Sequence, residues 1–152
     1  MSRQLRLQAF MPYRLSIAAN AVSKAIAAAY AERFDLSIPE WRLIAVLYEI
    51  GEGTQQDLVR ATLMDKVAVS RAAHSLEARR LVERRADAED GRARRLRLSV
   101  QGEALYARIA PTALEYEQRL LDRFGKAEVA ALQNMLLRLA DAANAMNEEE
   151  IA

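Results

Sequence analysis

The sequence predicts a mainly α-helical fold that contains one small β-hairpin. Glycine and proline are scarce, with five and three residues in a chain of 152, so the residues that interrupt helices are few. Apolar residues recur at steps of three and four over long stretches, which is the spacing of one helix face. Apolar and charged residues alternate in only two short segments, Leu81 to Arg85 and Arg95 to Ser99, as in half-buried strands.

Two helices are predicted in the first third of the chain. The first runs from about Gln8 to Phe34, and its apolar face consists of Leu15, Ala18, Val22, Ala25, Ile26, Ala29 and Tyr30. Ser37 and Glu40 then have the spacing of a capping box that opens the second helix. The apolar side of that helix consists of Trp41, Ile44, Leu47, Tyr48 and Ile50. Gly51 is expected to end it in left-handed backbone.

Two shorter helices follow. Thr54 and Asp57 have the spacing of a capping pair, and the helix that they open buries Leu58 and ends near Ala61. Asp65 caps the next helix, which runs from Lys66 to about Arg79. Its predicted buried stripe is Val69, Ala72, Ala73 and Leu76, and its other face carries Lys66, Ser70, Arg71 and His74. Val67 and Ala68 add small apolar groups that can meet a thymine methyl.

A hairpin and two long helices complete the predicted order. Asp90-Gly91 is a favoured tight-turn dipeptide, which places Arg92 at or beside the tip of the hairpin. In the second strand Leu96 and Leu98 are expected to face the core. Ser99 caps a long helix with Leu105, Ile109, Ala113, Tyr116 and Leu120 on one face. After Gly125 a last helix carries a stripe of Val129, Leu132, Leu136, Leu139, Ala143 and Met146.

The order helix, turn, helix, hairpin is that of a winged helix-turn-helix, whose second helix can enter a DNA major groove. We assign this unit to residues 36–99. The predicted fold is therefore mainly α with a small β-wing, a winged helix-turn-helix flanked by long N- and C-terminal helices. These flanking helices, residues 1–35 and 100–152, would leave apolar stripes exposed in a single chain. We expect them to be dimerisation helices that join two chains as a two-fold homodimer.

Composition narrows the function classes. The net charge is +1, but residues 54–98 hold eleven Lys and Arg against seven Asp and Glu, so basic residues gather in the predicted winged unit. The chain has no cysteine and a single histidine, which excludes thiolate chemistry and argues against a metal site. No nucleophile-base constellation or Gly-rich phosphate loop is present, so neither an enzyme nor a cofactor is expected. No signal peptide or membrane span is apparent, and a cytoplasmic protein is expected.

Several segments together resemble the MarR family of bacterial transcriptional regulators. These segments are Thr54-Gln-Gln-Asp-Leu-Val, Asp65-Lys-Val-Ala-Val-Ser-Arg, Leu76-Glu, Leu81-Val-Glu-Arg, Asp90-Gly-Arg and Leu96-Arg-Leu-Ser-Val-Gln-Gly. The most specific part is the wing pattern D-x-R-x-x-x-L-x-L-[ST]-x-x-G. The likeness covers nearly the whole chain and implies one MarR-like domain over residues 1–152. It implies a sequence-specific regulator of transcription, expected to be a repressor, that binds double-stranded DNA as a homodimer on a palindromic operator.

The chain departs from the family pattern at two points. The family usually has glycine after the recognition helix, where this chain has Arg80. Arg80 must adopt left-handed backbone, at a cost of about 1 kcal/mol, or the helix must end differently. Family members that sense peroxide use a thiol, and this chain has no cysteine to do so.

The resemblance implies a set of DNA-binding residues on the fourth helix and the wing. They are Lys66, Val67, Ala68, Ser70, Arg71, His74, Asp90, Arg92 and Arg94. In the family the arginine that matches Arg92 enters the minor groove, and the aspartate that matches Asp90 helps to hold the wing. The alternative is that these charges only solvate a helix face or protect a strand edge. A winged-helix module that binds a protein, without specific DNA binding, is the corresponding alternative function.

Family members often bind small phenolic or aromatic acids between the dimer helices and the winged unit. Tyr13, Arg14, Tyr30 and Trp41 lie on the elements that would line such a cleft, and an arginine beside aromatic rings suits an aromatic carboxylate. The alternative is that the aromatic residues belong to the core and Arg14 to the surface. A ligand that releases the DNA is therefore an expectation that depends on the family resemblance.

Overall fold

The computed structural model describes residues 5–151, with side chains described for residues 5–147. A short 3-10 turn, Leu7–Ala9, precedes six helices and three strands. In chain order these are α1 (Met11–Phe34), α2 (Ile38–Ile50), β1 (Glu52–Thr54), α3 (Gln55–Thr62), α4 (Lys66–Ala78), β2 (Val82–Ala86), β3 (Arg94–Leu98), α5 (Val100–Leu121) and α6 (Lys126–Ile151). The predicted fold class, mainly α-helical with a small β-wing, is confirmed. The chain forms two compact units that divide after Pro111.

The sheet has three antiparallel strands in the order β1-β3-β2. The hairpin strands pair Val82 with Leu98 and Ala86 with Arg94, so both lie one residue from their predicted positions. The strand β1, which pairs Gly53 with Leu96 on the other side of β3, was not predicted. It places the start of α3 directly beside the base of the wing.

The core of the first unit lies where α2 packs against α4 and the sheet. Leu43, Ile44, Leu58, Leu76 and Leu96 are fully buried, and the predicted stripe of α4 is buried along its whole length. Two expectations for α2 were wrong, because Tyr48 and Ile50 are 53% and 46% exposed. The buried face of α2 instead includes Leu43 and the charged Glu40.

The predicted helix starts are confirmed by hydrogen bonds. Ser37 N–H donates to Glu40 Oε2 at 2.7 Å and Glu40 N–H donates to Ser37 Oγ at 3.3 Å, which is a complete capping box. Thr54 and Asp57 form a second capping box. Ser99 Oγ accepts from Gly102 N–H at 3.0 Å at the start of α5.

The end of α4 shows how Arg80 replaces the expected glycine. Arg80 has a φ of +57°, in the left-handed region. Its N–H donates to the Glu77 carbonyl, and Leu81 N–H donates to the Leu76 carbonyl, both at 2.9 Å. These two bonds are those of a Schellman motif. Arg80 therefore accepts the left-handed backbone, and the helix keeps its ordinary ending.

Replacing Arg80 with glycine is expected to stabilise the fold by about 1 kcal/mol, because left-handed backbone costs a residue with a Cβ about that amount. Urea unfolding at neutral pH measures the change. The matched control is Ala78→Gly, within α4, where glycine is expected to destabilise by about 1 kcal/mol. A lower urea midpoint for Arg80→Gly than for wild type would contradict the argument.

The terminal helices carry apolar side chains that are exposed in the single chain. On α1 only Ala29 and Tyr30 of the predicted stripe are buried, and Met11 and Ile17 are 57% and 51% exposed. In the second unit, the exposed apolar residues of α6 are Leu132, Met135, Leu136, Leu137, Leu139 and Met146. Among residues 5–151, no helix has an apolar stretch long enough to cross a bilayer.

Candidate nucleic-acid interface

The helix α4 presents a polar face opposite its buried stripe. Its start is held by Asp65, whose Oδ1 accepts from Ala68 N–H at 2.8 Å. The predicted contact residues divide by exposure: Lys66, Val67, Arg71 and His74 are exposed, and Ala68 and Ser70 are half-buried. Because Val69, Ala72, Ala73 and Leu76 anchor the other side, the face that bears the predicted contacts is turned to solvent.

The wing turn is built around Asp90 and Arg92. The Asp90 carbonyl accepts from Ala93 N–H at 3.0 Å, which places Gly91 and Arg92 at the two central positions of a turn. Asp90 Oδ1 accepts from Arg92 N–H at 3.0 Å. The carboxylate of Asp90 therefore holds the backbone of Arg92, while the Arg92 side chain remains exposed.

Asp87 is a wing residue that the sequence did not single out. Its Oδ1 accepts from the N–H groups of Glu89 at 2.8 Å and Asp90 at 3.3 Å. Its Oδ2 lies 3.1 Å from Arg95 Nη1. The bond from the Glu89 amide, followed by the bond from Arg95, holds the pKa of Asp87 below its usual value of 3.8. The wing is therefore fixed by a side chain inside its own loop.

Several arginines of the winged unit are held by carboxylates. Arg84 donates to Glu77 through Nε at 2.9 Å and Nη2 at 2.8 Å, which ties the wing to the end of α4. Arg97 donates to Glu83. Arg95 Nε lies 3.1 Å from Glu52 Oε1, an ion pair whose angle falls outside hydrogen-bond geometry. These guanidinium groups are therefore engaged within the unit.

Other cations of the unit have no such partner. Within residues 5–147, no ion pair involves Lys66, Arg71, Arg92 or Arg94. All four are exposed, and they lie on α4 and at the wing. The exposed cations that lack a carboxylate partner thus include all four that the sequence assigned to DNA.

A concave surface lies beside the polar face of α4. It has a volume of about 460 Å³ and is lined by Gln55, Ser70, His74, Glu77, Ala78 and Arg84. Ser70 and His74 therefore line a recess between α4 and the wing, whereas Lys66 and Arg71 lie outside it. Within residues 5–151, no cluster of His, Asp and Glu is arranged to hold a metal ion.

The four predicted ligand residues do not form one site in a single chain. Tyr30 is 2% exposed, and its ring centroid lies 5.2 Å from that of the half-buried Trp41. Tyr13 and Arg14 are exposed near the start of α1, about 25 Å from Tyr30 at 1.5 Å of helix rise per residue. The structure thus brings Tyr30 and Trp41 together and leaves Tyr13 and Arg14 distant from them.

Two further aromatic side chains extend the Tyr30–Trp41 pair. Tyr106 on α5 has its ring centroid 6.1 Å from Trp41 and 3.8 Å from Tyr48, with nearly parallel planes in both pairs. The sequence placed Tyr48 on the apolar side of α2 and did not single out Tyr106. This cluster leads from the buried Tyr30 to Tyr48, whose exposed ring can pack against another aromatic ring.

Both the sequence and the fold of this chain are similar to those of known proteins. A sequence model of the MarR family matches residues 34–93. A crystal structure of a MarR/EmrR family transcriptional regulator from Acinetobacter sp. ADP1 superimposes with a TM-score of 0.85 at 28% identity, covering 92% of this chain and 99% of that one. The chain is thus similar to the MarR family in sequence over residues 34–93 and in fold over most of its length.

Two other known proteins are similar to this chain. The transcriptional repressor IacR of Pseudomonas putida is 25% identical over 105 residues, which are 69% of this chain and 63% of the repressor. The chain therefore matches less than two thirds of that relative's length. The structure of NadR in complex with 4-hydroxyphenylacetate has a TM-score of 0.74 at 25% identity, and the match covers 92% and 98% of the two chains. IacR and the Acinetobacter protein are both named as regulators of transcription.

The ion pair between α4 and the wing predicts an acid-sensitive stability. The bond from Arg84 is the main cause that holds the pKa of Glu77 below its usual value of 4.5. A carboxylate whose pKa is lowered by folding adds stability that is complete above its unfolded pKa. That stability is lost as the pH falls through the lower pKa of the folded state. We expect the melting temperature of the wild-type protein to decrease as the pH is lowered below about 4.5. The decrease should be smaller in Glu77→Gln, which lacks the titrating carboxylate.

The melting temperatures of the wild-type protein and Glu77→Gln are measured from pH 7 to pH 3. Their difference separates the contribution of the Glu77–Arg84 ion pair from that of the other carboxylates. It should be largest at neutral pH and shrink towards pH 3. A difference that stays constant across the range would show that Glu77 contributes nothing through its charge.

Proposed function

We propose that this chain is a sequence-specific, DNA-binding transcriptional regulator that acts as a homodimer and represses transcription. The observation that carries the proposal is the division of its cations into two groups. Carboxylates pair with five arginines of the winged unit, which are Arg60, Arg84, Arg85, Arg95 and Arg97. In contrast, Lys66, Arg71, Arg92 and Arg94 are exposed without an ion pair among residues 5–147. Exposed cations on a helix and a hairpin can reach phosphates and base edges of a duplex.

The remaining predicted contacts supply sequence discrimination in this proposal. Ser70 and His74 carry groups that can donate to or accept from base edges, and Val67 and Ala68 can meet a thymine methyl. Asp90 acts indirectly, since its carboxylate is engaged with Arg92 N–H and would be repelled by phosphate. The name of the repressor IacR supports repression as the direction of control.

Dimerisation is the second part of the proposal. Each unit exposes apolar side chains on a long helix, including Ile17 on α1 and Leu136 on α6. Surfaces of this kind are characteristic of protein interfaces. A two-fold dimer would present two copies of α4 to a palindrome, with half-sites about 34 to 36 Å apart.

Selection from a library of random 30-base-pair duplexes at near-physiological salt tests the proposal. The wild-type protein is expected to enrich a palindromic sequence and to bind it at least about 1000-fold more tightly than a scrambled duplex. Ser70→Ala and His74→Ala are expected to reduce that ratio more than they reduce binding to scrambled DNA. Absence of any enriched sequence would favour the alternative, a winged-helix module that binds an acidic protein surface.

We further propose that a small aromatic acid regulates DNA binding. NadR has been crystallised with 4-hydroxyphenylacetate, and the exposed end of the aromatic cluster at Tyr48 can pack against such a ring. Tyr13 and Arg14 lie too far along α1 to join Tyr30 and Trp41 of the same chain. They take part in one site with those residues only if two chains contribute.

Calorimetry with 4-hydroxyphenylacetate and salicylate tests this part. Binding that is lost in Arg14→Ala and kept in Arg33→Ala, a matched change at the other end of α1, would support a site made by two chains. Heat that is unchanged in Arg14→Ala would remove Arg14 from the site. No heat from either acid would contradict regulation by simple phenolic acids.

A further inference from the structure

A buried carboxylate lies between α4 and the junction of α1 with α2. Glu40, in the first turn of α2, is 8% exposed. Its Oε2 accepts from Ser37 N–H at 2.7 Å, and its Oε1 accepts from the hydroxyl of Ser75 on α4 at 2.5 Å. One carboxylate thus completes the cap of α2 and, with its other oxygen, holds a residue 35 positions away on α4.

Arg79 makes a second connection at the same place. It follows α4 one turn after Ser75, and its Nη1 donates to the carbonyl of Asp35 at 2.7 Å. Its Nη2 donates to the carbonyl of Phe34 at 3.4 Å. These carbonyls belong to the last residue of α1 and to its C-cap. The end of α4 is therefore bonded to the end of α1 as well as to the start of α2.

The charge of Arg79 also acts on Glu40. Burial alone would raise the pKa of Glu40, but the bonds from Ser75 and Ser37, with the charge of Arg79, together lower it. Glu40 is therefore an anion when the network is assembled. A hydrogen bond to a charged group is shorter and stronger than one between neutral groups.

The rest of the contact between α2 and α4 is non-directional. The buried side chains of α4 are all apolar, Val69, Ala72, Ala73 and Leu76, and apolar contact restrains sliding only weakly because it is non-directional. Replacing a buried ionic network with apolar side chains often costs no stability. The distinctive effect of directional bonds at this place is to define one position of α4 against α1.

From these observations we propose that Glu40, Ser75 and Arg79 form a coupling network that sets the position of α4 relative to α1. The inference rests on the proposed function, in which α4 reads DNA. Glu40, Ser75 and Arg79 are positioning residues in this proposal, since they act through the placement of Ser70 and His74. Because α1 is continuous from Met11–Phe34, a displacement of α1 is passed through the network to α4.

The first measurement does not require DNA. The chain has no cysteine, so Lys24→Cys on α1 and Ala78→Cys on α4 provide two exposed sites for spin labels. Labelled protein is diluted into excess unlabelled protein, so that only distances within one chain are measured. A narrow distance distribution is expected, and Ser75→Ala is expected to broaden it. A distribution as narrow in Ser75→Ala as in the unmodified background would overturn the proposal.

The second measurement tests whether the network affects sequence-specific DNA binding. On the duplex selected by the wild-type protein, Ser75→Ala is expected to weaken binding by about fivefold to tenfold, the scale of coupling within a hydrogen-bond network. Binding to the scrambled duplex should change less than about twofold, since phosphate contacts are kept. Glu40→Gln combined with Ser75→Ala should bind about as the single variants do, because the effects of networked residues do not add.

The control is Ile109→Val, which trims a fully buried side chain of α5 and lowers stability without changing the network. All variants are compared well below their melting temperatures. An equal loss of selectivity in Ile109→Val and Ser75→Ala would assign the effect to stability and overturn the proposal. Failure of the wild-type protein to select any duplex would contradict the proposed function, while the label distances would still decide the coupling.

Discussion

Replacing Gly102 with alanine is expected to destabilise the protein by about 3 kcal/mol, the upper end of the usual cost of overpacking. A Cβ at this position would lie 2.1 Å from the carbonyl oxygen of Leu81 and 3.3 Å from Leu98 Cδ2. The Leu81 oxygen has little freedom to move, because it accepts from Ser99 N–H at 3.0 Å. Ser99 Oγ donates in turn to the Arg80 carbonyl at 2.7 Å. The added methyl group therefore separates α5 from the base of the wing.

Urea unfolding compares this variant with Gly91→Ala. A Cβ at Gly91 meets no atom within 4 Å, so that substitution is expected to change the free energy of unfolding by less than about 0.5 kcal/mol. The two variants make the same chemical change, but only the Cβ at position 102 would meet other atoms within 4 Å. Equal urea midpoints for both would show that α5 moves away from Leu81 without cost.

The structure also explains the glycine of the wing pattern. From the sequence, Gly102 was only the last position of a motif that the family shares. In the structure the absence of a Cβ at Gly102 leaves room for the carbonyl of Leu81, in the turn after α4. The glycine is thus required by a contact between two elements that are distant in sequence. Residue type alone does not reveal that contact.

Features that depend on neighbouring residues were predictable. The buried stripe of α4 follows from helical spacing, and the caps at Ser37, Thr54 and Asp65 follow from side chains that bond to amides two or three residues on. All of these are confirmed. The left-handed backbone at Arg80 was one of two expected outcomes, since the Schellman bonds are also local.

Features that depend on distant pairing were not predictable. The strand β1 has three residues, one of them glycine, so no alternating pattern could indicate it, and it exists because β3 offers an edge. The wing loop contains Asp87, Glu89 and Asp90, and the sequence does not say which carboxylate turns inward. The stripe of α6 was predicted as a pattern, but periodicity does not identify what covers it.

The same distinction applies to the candidate site. Charge and resemblance indicated Arg92 and Arg94 over Arg95 and Arg97, but both kinds of arginine look alike in the sequence. Their difference lies in cross-strand geometry, which pairs Arg97 with Glu83 and Arg95 with Asp87. Asp87 comes eight residues before Arg95, and only the hairpin register brings the two together. The contacts of Lys66, Arg92 and the other predicted residues with DNA remain predictions.

Arg92→Ala is expected to weaken binding to the selected duplex by about tenfold or more, while the fold stability stays within about 0.5 kcal/mol of wild type. The reason is its position. Arg92 is exposed at the centre of a turn whose backbone is fixed by Asp90, so the side chain reaches out from a rigid base. Narrow A·T tracts concentrate negative potential in the minor groove, and an arginine at a hairpin tip can enter it.

Arg97→Ala is the matched control, because it removes the same formal charge from the same hairpin but from a side chain that already donates to Glu83 at 3.0 Å. It is expected to reduce affinity much less than Arg92→Ala does. Affinities measured from 50 to 200 mM salt separate two roles of Arg92: loss of one phosphate contact lowers the salt slope by about 0.9. A contact to base edges instead lowers affinity mainly for the selected sequence. If both variants bind alike at every salt concentration, Arg92 does not contact DNA, and the wing acts only through the position of its backbone.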